Sequence, residues 1–153
     1  MVDIVVRPTQ SGDAEELGQR MRKADLDEIA AMGIADPVEA LTLSDSLSTH
    51  SWTTTVDGEV AVMMGVTPVN MVAGVGCPWL LGSDYITKYA GAFMKRSLIY
   101  IPIMLEAYPH LFNYVDVRNR NAVRWLKRAG FTLHEPVPHG PYSMSFHPFE
   151  MRA

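Results

Sequence analysis

The stretch Asn113-Tyr-Val-Asp-Val-Arg-Asn-Arg-Asn-Ala-Val-Arg-Trp-Leu-Lys-Arg-Ala-Gly-Phe131 runs strand, cap, helix and stop into a new strand. With its neighbours on the N-terminal side, Leu111, Asn113, Val115 and Val117 alternate with Phe112, Tyr114 and Asp116, which predicts a strand over 111–117. Asn119 is placed to cap a helix. Ala122, Trp125, Leu126 and Ala129 then fall at i, i+3, i+4 and i+7, giving that helix one apolar stripe with Arg120, Arg124, Lys127 and Arg128 outside it. Gly130 supplies the left-handed residue that ends a helix, and Phe131 opens the next strand.

This order resembles motif B of the GNAT acetyltransferase superfamily, Asn-x-x-Ala-x-x-x-Tyr-x-x-x-Gly-Phe. Asn119, Ala122, Gly130 and Phe131 stand at the matching positions, and Leu126 stands where the motif has tyrosine. In that superfamily the tyrosine often protonates the leaving thiolate of CoA, so the resemblance implies the fold more strongly than the activity. A generic strand-helix-strand unit of another α/β protein is the alternative.

Working outward, 153 residues predict a single domain over 1–153 with a sizeable core. A net charge of −4 and a pI near 5.7 argue against a surface built for nucleic acid. The charge is nevertheless uneven, since five of the 13 basic residues lie between Arg118 and Arg128. One cysteine, Cys77, excludes an internal disulfide and fits a reducing compartment or a virion interior. The N-terminus does not read as a signal peptide, and the longest apolar stretch, Ser97 to Leu105, is short and interrupted by Pro102, so no membrane span is expected.

Val2 to Val6 predicts a first strand, and Thr9 to Glu16 opens a helix with acidic residues in its first turn and a core face of Ala14, Leu17 and Met21. Asp25 with Glu28 reads as a capping box for a second helix stopped at Gly33, and Asp36-Pro37 starts a third. Trp52 to Val56, Asp57-Gly58 and Glu59 to Val66 predict a hairpin with Val60, Val62, Met64 and Val66 on one face. Thr67 to Pro78 reads as an irregular connection and Trp79 to Leu81 as a short buried strand. Gly82-Ser83-Asp84 leads into a helix reaching about Ala107, which Pro102 should kink or divide. Phe131 to Glu135 predicts a strand, 136–141 a stiff connector, and Tyr142, Met144 and Phe146 alternate along a last strand. In outline the order βααβββαβαββ is that of a GNAT fold, an α/β (α+β) architecture with a mixed, mostly antiparallel central sheet flanked by helices.

Within that fold, Pro78 to Asp84, Leu111 to Asn119 and Trp125 to Glu135 resemble the small internal virion protein family of short-tailed phages and its GNAT-like relatives. That likeness implies a role in virion assembly and no reaction. The superfamily implies acetyl-CoA, held at its pyrophosphate by a Gly-rich loop whose backbone N–H groups bind anions. The matching position is Leu80-Leu-Gly-Ser-Asp-Tyr85, which makes Leu81, Gly82, Ser83 and Asp84 the expected loop residues, with Asn119 and Arg124 beside the pantetheine or phosphates. Simple helix capping is the alternative for Ser83 and Asp84, and a solvated helix face is the alternative for the basic run.

For proton transfer, Tyr114 and Asp116 are the candidate catalytic residues, both on one face of the 111–117 strand. Their alternatives are sheet packing for Tyr114 and a cap or ion pair with Arg118 or Arg120 for Asp116. The five histidines lack metal-ligand spacing, so no metal is expected, and Cys77 reads as a packed thiol. Two functions follow. One is an acetyl-CoA-dependent N-acyltransferase acting on an amine, the other a catalytically silent scaffold whose partners are phage virion proteins, in the host cytoplasm or the virion interior. A homo-oligomer is compatible with either. An open V between the Trp79–Leu81 and Phe112–Val117 strands would favour the enzyme; a cleft filled by Trp79, Tyr85 or Trp125 would favour the scaffold.

Overall fold

A computed structural model describes residues 1–153. Strands are β1 (Ile4–Pro8), β2 (His50–Val56), β3 (Glu59–Asn70), β4 (Val75–Gly82), β5 (His110–Asp116), β6 (Thr132–Leu133), β7 (Val137–His139) and β8 (Met144–Arg152). Helices are α1 (Asp13–Gly18), α2 (Lys23–Ala31), α3 (Pro37–Leu47), α4 (Tyr85–Lys88), α5 (Ala90–Ala107) and α6 (Arg120–Ala129). The strands form one sheet in the order β1-β2-β3-β4-β5-β8-β6, with β7 also on β8. Every pairing is antiparallel except β4 with β5, so the sheet is mixed and mostly antiparallel as expected.

The deciding stretch folds as its pattern predicts. The Asn119 side chain accepts from the Ala122 N–H at the start of α6, and Gly130 sits at φ 101 at its end. Asp57 and Gly58 both take positive φ, 48 and 83, which matches the twist of the β2–β3 hairpin. Asp36 accepts from the Val38 N–H, with Pro37 at the first helical position of α3.

Several expectations need correction. Thr54 pairs with Val62 and Thr55 with Val60, so Ala61 is the extra residue of a β-bulge. The bulge turns Val60 to the α1–α3 side, where it packs with Leu17, Leu41 and Met63, while Val62 packs with Phe93 of α5 on the other side. The 67–78 connection is instead a hairpin: β3 continues to Asn70, turns, and returns as β4 from Val75. The long helix divides at Tyr89 (φ −120, ψ 39), not at Pro102, which lies inside a continuous α5. Proline removes the hydrogen bond to the carbonyl four residues earlier, here Leu98, which is solvent-exposed and can bind water, while Phe93, Ser97, Ile101 and Met104 hold the opposite face buried. The 136–141 connector contains the edge strand β7, where Pro138 is tolerated because only one side is paired; β6 shrinks to two residues and Tyr142 lies in a turn. Finally, α2 starts at Lys23 after an Arg22 that makes no side-chain cap, so Asp25 and Glu28 lie inside the helix and form no capping box.

The observed order is βαααβββααβαβββ, in which the expected third helix is present as α3 and the short α4 and the β7 edge strand are additions. One layer of core joins α5 and α6 to the sheet through Val66, Ile101, Met104, Leu111, Leu126 and Phe149. The other joins α1, α2 and α3 through Leu17, Ile29, Leu41 and Met63.

Candidate functional site

Strands β4 and β5 pair only at Val75 with His110 and Gly76 with Leu111. Beyond those residues each strand stays paired on its outer side, β4 with β3 and β5 with β8, and the two diverge into an open V. A cavity of about 990 Å³ occupies it, lined by both strand edges and by residues of α2, α3, α5 and α6. That size lies at the upper end of ligand pockets. None of the three large aromatics plugs it: Trp79 donates its Nε1–H to Ser48 Oγ (2.8 Å) beside α3, Tyr85 stacks on Tyr89 and donates to Glu59, and Trp125 packs against the α5–α6 core.

The wide end of the V is crossed by the side chains of Arg22, just before α2, and Asp25, in its first turn. Asp25, 1% exposed, accepts from the Gly82 N–H (2.9 Å), from Arg22 Nη2 (3.0 Å) and from Asn119 Nδ2 (3.2 Å). Arg22 also donates Nη2 to Asn119 Oδ1 (3.3 Å) and its backbone N–H to the Gly82 carbonyl (2.9 Å). The Arg22 guanidinium is therefore desolvated against one carboxylate, and its buried Nε has no partner. Charges buried this way persist only when paired and hydrogen-bonded.

Glu28, one turn along α2, lies at the cavity wall and accepts from the Asp116 N–H at 2.7 Å. Burial pushes its carboxyl up to about 7, with Asp25 and Asp116 adding to the rise against the backbone hydrogen bond and Arg22. Asp116 is held the other way. Burial opposes its charge, but the Arg118 fork (Nε to Oδ1, 3.0 Å; Nη2 to Oδ2, 2.6 Å) and the Arg118 N–H keep it below the ordinary aspartate value. Two adjacent carboxyls thus have opposite affinities for a proton.

The residues singled out from sequence are distributed as follows. Leu81 points into the α1–α3 core, Gly82 and Asn119 join the Asp25 network, and Asp84 is exposed with no capping hydrogen bond. Ser83 is 3% exposed; its N–H and Oγ both donate to the Ala61 carbonyl, and its Oγ accepts weakly from the Tyr85 N–H. Arg124 lies at the cavity rim, bonded to Asn121. Tyr114 faces the cavity with its ring stacked on His139 at 3.7 Å, and burial lowers the His139 pKa. Leu126, at the motif's tyrosine position, is buried in the α5–α6 core. Cys77 lines the cavity with its thiol pushed up to about 11 by burial, and no cluster of metal-ligating groups is present.

Sequence reasoning missed Arg22, Asp25 and Glu28 as site residues. Their spacing, i, i+3 and i+6, was a signal, since it puts three charged groups along one side of a helix that also carries the core residue Ile29.

A protein family described as "Bacteriophage T7, probable scaffold protein Gp13" matches residues 59–137, about half of the chain. The chain belongs to that family. A relative within reach of sequence comparison, the probable scaffold protein gp13 of Escherichia phage T7, is 29% identical over 136 residues, 86% of this chain and 87% of that protein. Among solved structures, Ard1 from Thermoplasma volcanium superposes with a TM-score of 0.76 at 16% identity, covering 98% of this chain and 97% of that one. The spermidine N-acetyltransferase of Vibrio cholerae, in complex with CoA and spermine, gives 0.68 at 13% identity, covering 97% and 95%. The ribosomal-protein-S18-alanine N-acetyltransferase of Escherichia coli gives 0.69 at 11% identity, covering 98% and 94%. These likenesses establish the GNAT fold for this family member. At such identities they carry the fold alone.

Proposed function

We propose that this family member works as a phage assembly protein in which the GNAT fold is a binding scaffold and transfers no acetyl group, its partners being virion proteins met in the host cytoplasm or the virion interior. The observation that carries this reading is Asp25. A GNAT loop binds the CoA pyrophosphate with free backbone N–H groups, but here the Gly82 N–H donates to Asp25 and the Ser83 N–H to the Ala61 carbonyl. A diphosphate at this position would meet a buried carboxylate and donors already engaged. The donor set does not fit the cofactor.

Leu126 supports the same reading, because a core leucine has no proton to give. The basic residues of α6, Arg120, Arg124, Lys127 and Arg128, are exposed on the helix and leave the engagement of the Gly82 N–H by Asp25 unchanged.

Two observations favour a second reading, an N-acyltransferase: the V is open, and Glu28 sits in it with a pKa of about 7. In that reading Glu28 or Asp116 would take the proton of an amine and Tyr114 would supply one to the thiolate, with acetyl-CoA held by Leu81, Gly82, Ser83, Asp84, Asn119 and Arg124. Thermal unfolding with millimolar acetyl-CoA separates the readings. A ligand at about 100-fold over its dissociation constant adds about 2.7 kcal/mol, a rise of roughly 5–10 °C for a chain this size. The expected result is no shift. A shift of that size, with release of free CoA in the presence of polyamine or peptide amines, would establish the enzyme instead.

A further inference from the structure

We infer that the open V takes an extended peptide segment of a partner protein as an added strand between β4 and β5, an inference that rests on the scaffold reading above. The first support is main-chain geometry. Gly82 turns both its N–H and its C=O into the V, toward Asp25 and Arg22. By the two-residue alternation of a strand, Leu80 turns its N–H and C=O the same way, and no β5 backbone reaches it because β4 and β5 part after Gly76 and Leu111. On the facing edge the Asp116 N–H points into the V at Glu28, so the Tyr114 main chain shares that direction. The Leu80 N–H and C=O on one edge and the Tyr114 C=O on the other face one gap without a main-chain partner across it, and a strand is the partner that meets both edges.

Asn113 is the second support. Its Nδ2 donates to the Pro78 carbonyl of β4 at 2.7 Å, and its Oδ1 accepts from the Tyr114 N–H of β5 at 2.7 Å. One carboxamide thus joins the two edges in the way a peptide group of an intervening strand would, donating on one side and accepting on the other. Further along, Asp25 accepts the Gly82 N–H of one edge and Glu28 the Asp116 N–H of the other. Between these side-chain substitutes lies the Leu80 window.

The walls define the segment's chemistry. On one side stand Met94 and Ile101 of α5, on the other Ile29 of α2 and Leu43 of α3. A strand between two apolar layers is apolar on both faces, so the segment is a short run of consecutive apolar residues, not an alternating one. The unpartnered Arg22 Nε, in the same cavity, would gain an acceptor from one of its carbonyls.

The test is selection of a displayed library of random peptides about seven residues long on the intact chain, followed by hydrogen exchange with the enriched peptides. Expected are runs of three or more apolar residues whose binding slows exchange of the Leu80 amide by about tenfold or more. No enrichment, or protection confined to other segments, overturns the inference. Two variants locate the site. Leu80→Pro removes the N–H facing the V, besides fixing φ at that position, and should abolish peptide protection; should it fail to fold, Asn113→Ala decides. That variant frees the Pro78 carbonyl and the Tyr114 N–H for the segment and should tighten binding about three- to tenfold; unchanged or weaker binding overturns the placement. Acetyl-CoA run in parallel keeps the two proposals apart. Absence of peptide binding with acetyl-CoA also silent removes this inference alone, whereas a thermal shift with acetyl-CoA removes the scaffold reading.

Discussion

Asp25 collects donors from three parts of the chain: the end of β4, the cap of α6 and the turn before α2. Its charge balances a guanidinium that is 7% exposed, and removing one member of such a pair leaves the other buried and uncompensated. Asp25→Ala should cost about 3–5 kcal/mol in urea unfolding. The double replacement Arg22→Met with Asp25→Leu should cost less than Asp25→Ala alone, because it removes both charges together. A double variant as unstable as the single one would mean that the Gly82 and Asn119 hydrogen bonds, and not the charge pair, dominate. The fork on Asp116 belongs to the same scale: Arg118 satisfies both carboxylate oxygens, so this residue holds its charge at neutral pH while Glu28, one hydrogen bond away, shares its proton with solvent.

At the scale of the element, α6 is specified locally at both ends. The Asn119 cap accounts for one of its orphan N–H groups, and Gly130 at φ 101 lets the chain leave toward Phe131, whose N–H bonds back to the Leu126 carbonyl. Gly130→Ala forces a side chain into the left-handed region and should cost about 1 kcal/mol, lowering Tm by roughly 2–4 °C. A Cβ there would meet only the flexible Met151 end at 3.5 Å, so the loss, if seen, measures backbone strain and not a clash. Helix α5 illustrates the opposite case. Its proline is tolerated because tertiary packing of Phe93, Ile101 and Met104 holds the helix together, where local rules alone would end it.

Across the whole molecule, pH acts through two opposed sets of carboxyls. Asp13, Asp116 and Glu150 have folded pKa values below their ordinary ones, Asp13 through Arg7, Gln10 and Thr53 against burial, and Glu150 through His134 and then His110. Their contribution is present above the unfolded pKa and is lost as pH falls through the folded values. Glu28 has the reverse sign. Its folded pKa of about 7 lies above the unfolded value, so its contribution is complete below the unfolded pKa and is lost as pH rises toward and through about 7. Stability should therefore be greatest in weak acid, near pH 5, and fall by up to about 3 kcal/mol by pH 8. Glu28→Gln keeps an oxygen for the Asp116 N–H and carries no charge, so it should flatten the neutral limb of a Tm-versus-pH curve and exceed the native chain in stability at about pH 8. A parallel fall in both proteins would assign the neutral limb to another group.

What could be read from the residues alone is what neighbours in the chain enforce. The capped and terminated α6, the Asp57-Gly58 turn and the Asp36-Pro37 start all depend on contacts within a few positions, where φ and side-chain spacing decide the outcome. The GNAT frame was legible for that reason. The bulge at Ala61, the hairpin through Asn70 and Val75, and the Arg22–Asp25 crossing at the wide end of the V were not, because they depend on register against other strands and on partners far away in sequence. Gly82 and Asp25 are 57 positions apart, Asn119 and Asp25 are 94 apart, and only the packed sheet brings them within hydrogen-bond distance. Leu126 could be recognised as a missing tyrosine in the chain. That the Gly82 N–H is already engaged by the buried Asp25 is a fact of tertiary structure, since a carboxylate reads the same in sequence whether it caps a helix or binds a distant strand.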